Sequence, residues 1–268
     1  MQEPTVVVET LLQTPKKFSL EIENIAKEKR ISHMDAVIDY CQKNRLSTTE
    51  IADALGKAGV FPKVAPINSN LYRVGLIRCV FTANNSNYAV HEQIREVQEG
   101  EVVIVFSYNC EDRAIFGDLI SKYLLLYRGA SAIVVQGLVR DVARLRRDGS
   151  AIWSEGVSPL GCNNMQADDY PPELEREIRA QYEGGIAVCD DGGVTVIQKK
   201  MITEKMLTRL HLIEMQEDIW SFCLNTLKWD TKKIVCDKAY LYETGLLSSV
   251  HIDRLNELSQ SLDDENKQ

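Results

Sequence analysis

Along this chain the spacing of apolar side chains changes from helical to strand-like and back, and these changes outline its organisation. Phe18, Ile22, Ile25 and Ala26 recur at helical intervals with charged residues opposite, which predicts a helix. Met34, Val37, Ile38 and Cys41 repeat the pattern behind a capping signal at Ser32 and Asp35. A third helix is predicted from STTE, where Ser47 and Glu50 stand three apart, through Ile51, Ala54 and Leu55 to Gly59. Beyond it, LYRVGLIRCVFTA and EVVIVFSYN read as strands on either side of a helix over AVHEQIREVQ, which the Glu99-Gly100 turn closes. The alternation continues with a helix over FGDLISKYLLLYRG, a β-branched strand at SAIVVQG, a helix over VRDVARLRRDG and a short strand at AIWSEG. Units of this kind predict an α/β fold in which helices surround a largely parallel or mixed sheet.

The proline-bearing stretch MQADDYPPELEREIRAQYEGG reads as an interruption. IAVCDD and VTVIQ then predict a hairpin turning at Asp190 to Gly193, and EKMLTRLHLIEMQEDIWSFCLNTL predicts a long apolar helix. LLSSVHIDRLNELSQSL is a last amphipathic helix ahead of the acidic end DDENKQ. The expected organisation is a flexible arm over 1–15, a helical module over 16–45, an α/β domain over 46–242, and a C-terminal helix with an acidic tail over 243–268.

Composition narrows the function. The 268 residues are 44% hydrophobic and 26% charged, enough apolar material for a full core. With 31 basic against 39 acidic residues the net charge is −8, which argues against direct nucleic-acid binding driven by a broad positive field. No run approaches the roughly 18 apolar residues that span a bilayer, and MQEPTVVVETLLQTPKKF lacks the positive start of a secretory signal, so neither membrane insertion nor secretion is expected. The seven cysteines form an odd set without a CxxC pair and sit mostly in apolar runs; reduced, buried thiols in a cytoplasmic protein are the expectation.

Two short charged motifs carry candidate chemistry. Gly117 and Asp118 open a predicted helix, where unpaired N–H groups suit a small anion and glycine permits close approach; Asp118 would equally serve the first turn of its own helix. Arg140 and Asp141 follow an apolar strand, at the edge where open α/β sheets place ligands. An arginine fork can grip a carboxylate, and an aspartate can ligate a hard cation. The basic run Arg140, Arg144, Arg146 and Arg147 reads as a solvated helix face, since no aromatic residues interleave it. His33, His91, His211 and His251 form no HxH or HExxH arrangement; Trp153, Trp220 and Trp229 read as packing residues, and Met201, Met206 and Met215 as core filler.

The run IFGDLISKYLLLYRGASAIVVQGLVRDVARLRRDGSAIWSEGVSPLG resembles the central signature of the RraA-like family, in which a GD pair opens a helix and a later strand delivers Gly-x-x-Arg-Asp. The matching residues are Gly117, Asp118, Gly137, Arg140 and Asp141. STTEIADALGKAG, VHEQIREVQEGEVVIV and YEGGIAVCDDGGVTVI extend the resemblance over roughly residues 47 to 200. It implies a layered α/β domain and one of two functions: a metal-dependent aldolase or decarboxylase acting on pyruvate-like keto acids, or a protein regulator of RNase E. For the enzyme, the resemblance implies catalysis by Arg140 and Asp118, substrate binding by Gly117, Asp118, Leu119 and Arg140, and Mg²⁺ (or Mn²⁺) on Asp141. The cation would draw charge from the carbonyl oxygen and stabilise the enolate left when a C–C bond breaks. The resemblance also implies a homo-oligomer, trimer or hexamer, which the apolar helix around Leu207 to Leu227 supports.

Two departures from the family pattern stand out. The aldolases carry an acid three places after the metal-binding aspartate, where this chain has Arg144, and a cation there opposes metal binding. The spacing from Asp118 to the Arg140-Asp141 pair is one residue longer, which calls for a small bulge or loop change; Asp112, Glu111 or an acid from another subunit are the candidates to replace the missing acid. Separately, KFSLEIENIAKEKRISHMDAVIDYCQKN, residues 17 to 44, resembles the helical core of late-transcription accessory proteins of T4-like phages. That likeness implies docking to RNA polymerase. The hydrophobic clamp-binding ending of those proteins has no counterpart in LDDENKQ.

Overall fold

The computed structural model describes residues 33–253 and 255–256, so the predicted arm, the helix over 18–26 and the acidic end lie outside the described residues. The chain divides into two units, one formed by Ile38–Ala52 with Ala58–Ile202 and the other by the remaining segments.

In the first unit an eight-stranded mixed sheet runs in the order β1-β6-β5-β3-β2-β7-β8, with β4 pairing to β5. The strands are β1 (Ala65–Pro66), β2 (Arg73–Ala83), β3 (Val102–Tyr108), β4 (Ala114–Phe116), β5 (Ala132–Val139), β6 (Ile152–Val157), β7 (Ile186–Asp190) and β8 (Gly193–Ile197). Strands β2, β3, β5 and β6 are mutually parallel, while β1, β7 and β8 join antiparallel at the two edges. Parallel neighbours need crossovers. Helices α3 (Tyr88–Gln93), α4 (Asp118–Lys122) and α5 (Val142–Arg147) supply them, and because the strands are added in one direction all three lie on the same face.

Strand alternation divides the core into two layers. Val103, Val105, Ile133 and Val135 pack with Val90, Ile94, Ile120, Leu124 and Leu145 of the crossover segments. Their neighbours Ile104, Phe106 and Val134 turn to the other face, where Phe61, Phe81, Tyr170 and Trp153 complete an aromatic-rich layer. Strands with both faces covered read as near-continuous apolar runs, which is why EVVIVF and AIVV stand out in the sequence.

The stretch read as an interruption contains a helix, α6 (Pro172–Tyr182). Pro172 occupies its first turn, where the missing N–H costs nothing, and Arg179 pairs with Glu175 (2.8 Å) and Glu183 (3.0 Å) along one face. Its partly buried Leu174, Ile178 and Tyr182 cover the aromatic layer. The hairpin forms as predicted, with Asp190 opposite Gly193.

Helices α1 (His33–Asn44) and α2 (Thr48–Ala54) precede the sheet. The predicted capping box closes: the Ser47 backbone N–H donates to Glu50 Oε2 at 2.6 Å, and that of Glu50 donates to Ser47 Oγ at 3.2 Å. The Tyr72 hydroxyl reaches the carbonyls of Cys41 (2.8 Å) and Leu46 (3.0 Å), which ties the end of α1 to the start of β2.

The second unit is built on α7 (Glu204–Asn225), capped by Thr203, whose hydroxyl accepts from the Met206 N–H. Leu207, Leu210, Leu212, Ile213, Met215, Ile219 and Phe222 are all buried and occupy several faces, as in a helix enclosed by protein. These side chains are therefore not an open surface for self-association.

Candidate functional site

The carboxyl ends of the parallel strands gather the loops that carry the candidate residues. β4 ends at Phe116, so Gly117 becomes the N-cap of α4 and Asp118 its first residue. Beside it β5 ends at Val139, and the Arg140 N–H donates to the Phe116 carbonyl at 3.0 Å, which places Arg140 and Asp141 against Gly117. Asp141 holds a left-handed conformation, φ 60°, and caps α5, with its carbonyl accepting from Arg144 and Leu145. The pairing of β5 with β6 shifts register between Val135 and Leu138, and Gly137 in that bulge takes φ 145°, open to glycine but not to other residues.

Gly117, Asp118, Arg140 and Asp141 thus converge on one edge. Asp141 Oδ2 accepts from the Asp118 backbone N–H at 3.3 Å and lies 3.8 Å from Arg140 Nε. A Cβ on Gly117 would stand 2.1 Å from that same oxygen, so no larger residue fits without displacing it. On the far side the Arg140 guanidinium lies across the backbone of Gly161, where a Cβ would come within 2.6 Å of Nη1. Leu119, whose backbone belongs to the same helix turn, directs its side chain to the surface and is 76% exposed.

The electrostatics are dominated by a residue outside the predicted set. Arg144 Nη1 donates to Asp118 Oδ2 at 2.9 Å. Lys122 stands 3.6 Å from that oxygen and 3.2 Å from Asp148 Oδ2. The hydrogen bond and charge of Arg144, helped by Lys122, hold the Asp118 carboxyl below the usual carboxylate range. Asp118 is therefore an ionised carboxylate already engaged by two cations.

Whether this edge suits a divalent cation can be judged from its donors. Asp141 offers one carboxylate, directed at the Asp118 N–H and flanked by Arg140, while the carboxylate of Asp118 is taken by Arg144. Among the described residues no three His, Cys, Asp or Glu side chains gather in a cluster able to hold a metal ion, and Glu111 and Asp112 are exposed. The donor set does not fit a divalent cation: two guanidinium groups stand where a hard cation needs anionic oxygen.

Hollows lie elsewhere. One of about 430 Å³ opens at the opposite ends of the strands, lined by Lys122, Leu125, Leu126, Ser131, Asp148 and Ser150. No helix among the described residues is long and apolar enough to cross a membrane.

Comparison with known proteins agrees with this architecture. A Shewanella oneidensis protein carrying the provisional name 4-hydroxy-4-methyl-2-oxoglutarate aldolase is 24% identical over 115 residues, 43% of this chain and 70% of that protein. A Pseudomonas syringae protein of known structure superposes with a TM-score of 0.56 at 20% identity, covering 72% of this chain and 93% of its own. Streptomyces coelicolor RraAS2, described as an unusual member of the RNase ES inhibitor RraA family, gives 0.50 at 21% identity over 61% of this chain and 86% of its own. At these identities the two structures speak for the fold alone. Residues 12–58 match the phage late-transcription coactivator family. Residues 48–196, more than half of the chain, match the RraA-like family, Aldolase/RraA, and the chain belongs to that family.

Proposed function

We propose that the RraA-like unit of this chain is a non-catalytic regulatory scaffold, acting through protein contacts on the machinery that makes or processes RNA. The observation that carries this reading is the Arg144–Asp118 ion pair at 2.9 Å, which occupies the position where the aldolase pattern has an acid. A divalent cation on Asp141 would meet Arg144 and Arg140 as like charges, and the carboxylate of Asp118 is spent on Arg144. Without that cation the enolate of a keto acid has no electrophilic partner, so the residues that remain hold an anion without driving cleavage. The match of residues 12–58 to phage late-transcription coactivators supports RNA polymerase as the partner, and the match of residues 48–196 to the RraA-like family keeps RNase E as the alternative.

The second reading, a lyase acting on pyruvate-like keto acids with Mg²⁺ or Mn²⁺, draws on the convergence of Gly117, Arg140 and Asp141 on one edge. Oxaloacetate decarboxylation by the purified chain and by Asp141→Ala, each with and without Mg²⁺ or Mn²⁺, separates the two. The scaffold reading expects the same background in every arm. Metal-dependent turnover lost in Asp141→Ala would replace it with the lyase. In parallel, the full chain is expected to retain RNA polymerase in a pull-down.

Self-association belongs to the same proposal. Leu126 and Tyr127, on the wide turn that continues α4, are 73% and 81% exposed, as is Leu119 of α4 at 76%. Exposed apolar side chains of this kind suit contact with another copy.

A further inference from the structure

Beside the Arg140-Asp141 edge lies a pair of thiols that the proposed function does not use. Cys110 follows β3 and Cys162 follows β6, 52 positions later in the chain. The backbone holds their loops together: the Cys162 N–H donates to the Ala114 carbonyl at 3.0 Å, and the Ala114 N–H donates to Leu160 at 2.7 Å. Asn85 links the same two loops, its N–H donating to Asn109 at 3.1 Å and its carbonyl accepting from Asn163 at 2.8 Å. Cys110 is buried and Cys162 half-buried, packed against the same apolar layer.

The Cys110 thiol donates to the Tyr108 carbonyl at 3.6 Å, and the backbone bonds on either side bring the Cys110 and Cys162 loops together over that layer. The neighbouring Cys162 thiol pulls Cys110 down to about 7, against the effect of burial, and is itself pushed up. Arg113 and Arg140 bring positive charge close to Cys162.

We propose that Cys110 and Cys162 form an oxidisable dithiol that closes into a disulfide under hydroperoxide. The Cys110 thiolate attacks the O–O bond of the hydroperoxide, becomes a sulfenic acid and releases the alcohol, or water from hydrogen peroxide itself. The Cys162 sulfur then attacks the sulfenic sulfur; the S–S bond forms, the S–O bond breaks, and water leaves with the Cys162 proton. Two electrons pass from the thiol pair to the peroxide.

Closure reaches the neighbouring edge through Gly161. The residue before Cys162 cradles the Arg140 guanidinium, and its carbonyl accepts from Arg113 Nη1 at 3.1 Å. Shortening the sulfur separation moves that backbone relative to Arg140. The dithiol is independent of the scaffold reading, since its formation requires neither catalysis nor a partner.

The test exposes the full reduced chain to stoichiometric hydrogen peroxide and maps thiols by alkylation and non-reducing peptide mass spectrometry. Alkylation of Cys110 and Cys162 together is expected to fall about tenfold, with one peptide joining the two and full recovery in dithiothreitol. Cys162→Ser is expected to stop at a Cys110 sulfenic acid that dimedone captures. Oxidation confined to exposed Cys236, or a linkage of either thiol to another cysteine, would overturn the proposal. Because the wild-type mapping needs no variant, a folding defect in Cys162→Ser leaves the result readable.

Discussion

The space beside Gly117 is filled by Asp141: a β-carbon on the glycine would fall 2.1 Å from the Asp141 Oδ2 atom. The φ of Gly117, −138°, lies outside the left-handed region that favours glycine, and the close approach of Asp141 is what a larger residue would meet here.

Gly117→Ala is therefore expected to destabilise by overpacking, about 1–3 kcal/mol. In a chain of this size each kcal/mol lowers the melting temperature by roughly 2–4 °C. Asp141→Ala removes the obstructing oxygen, so Gly117→Ala placed on that background should cost less than it does alone. A double-mutant cycle by thermal unfolding measures the coupling, and additive effects would contradict the packing argument.

Replacing Arg144 by glutamate should turn the edge from cationic to anionic. The Asp118 carboxylate loses its strongest partner, and the acid of the aldolase pattern returns three places after Asp141. Mn²⁺ titration followed by electron paramagnetic resonance is expected to show weak or no specific binding to the wild-type chain and at least about tenfold tighter binding to Arg144→Glu, a gain of ~1.4 kcal/mol.

Asp118 gives a pH signature with a defined sign. Its folded carboxyl is depressed by Arg144, so its stabilising contribution is fully present above the unfolded value, about 3.9, and is lost as pH falls through the lower folded value. The melting-temperature gap between wild type and Asp118→Asn should be constant from neutrality to about pH 5 and shrink below pH 4. Arg144 is exposed and salt screens such pairs, so the gap should also narrow with ionic strength.

If Leu119, Leu126 and Tyr127 form the contact between copies, a charge on one of them dissociates the assembly without unfolding it. Leu126→Glu is expected to shift sedimentation to the monomer while leaving far-ultraviolet circular dichroism unchanged. Wild-type protein sedimenting as a monomer at micromolar concentration would remove the proposal.

The alternating apolar runs made the parallel core legible because strands such as EVVIVF are buried on both faces and bounded by turn residues. The capping box at Ser47 was equally plain, since both its partners lie within one turn. Helix α6 escaped because its first residue is proline and its buried contribution is only partial, so punctuation outweighed period. β4 is three residues long, too short to carry an alternation. Gly117, Asp118, Arg140 and Asp141 could be picked out as types at strand and helix ends, but the ion pair from Arg144 to Asp118 spans 26 positions and two elements. The Cys110–Cys162 pair is invisible to any search for close cysteine spacing for the same reason: the sheet, not the local sequence, makes them neighbours.

The bulge at Gly137 gives β5 two halves with different obligations. From Ala132 to Gln136 the strand is gripped by β3, so its side chains have no freedom to exchange faces. Past the extra residue that grip ends, and the chain counts afresh toward Arg140 and Asp141. Deleting one amino acid at this point would leave the upstream packing untouched while turning the terminal pair inside out, a polarity change achieved by parity alone.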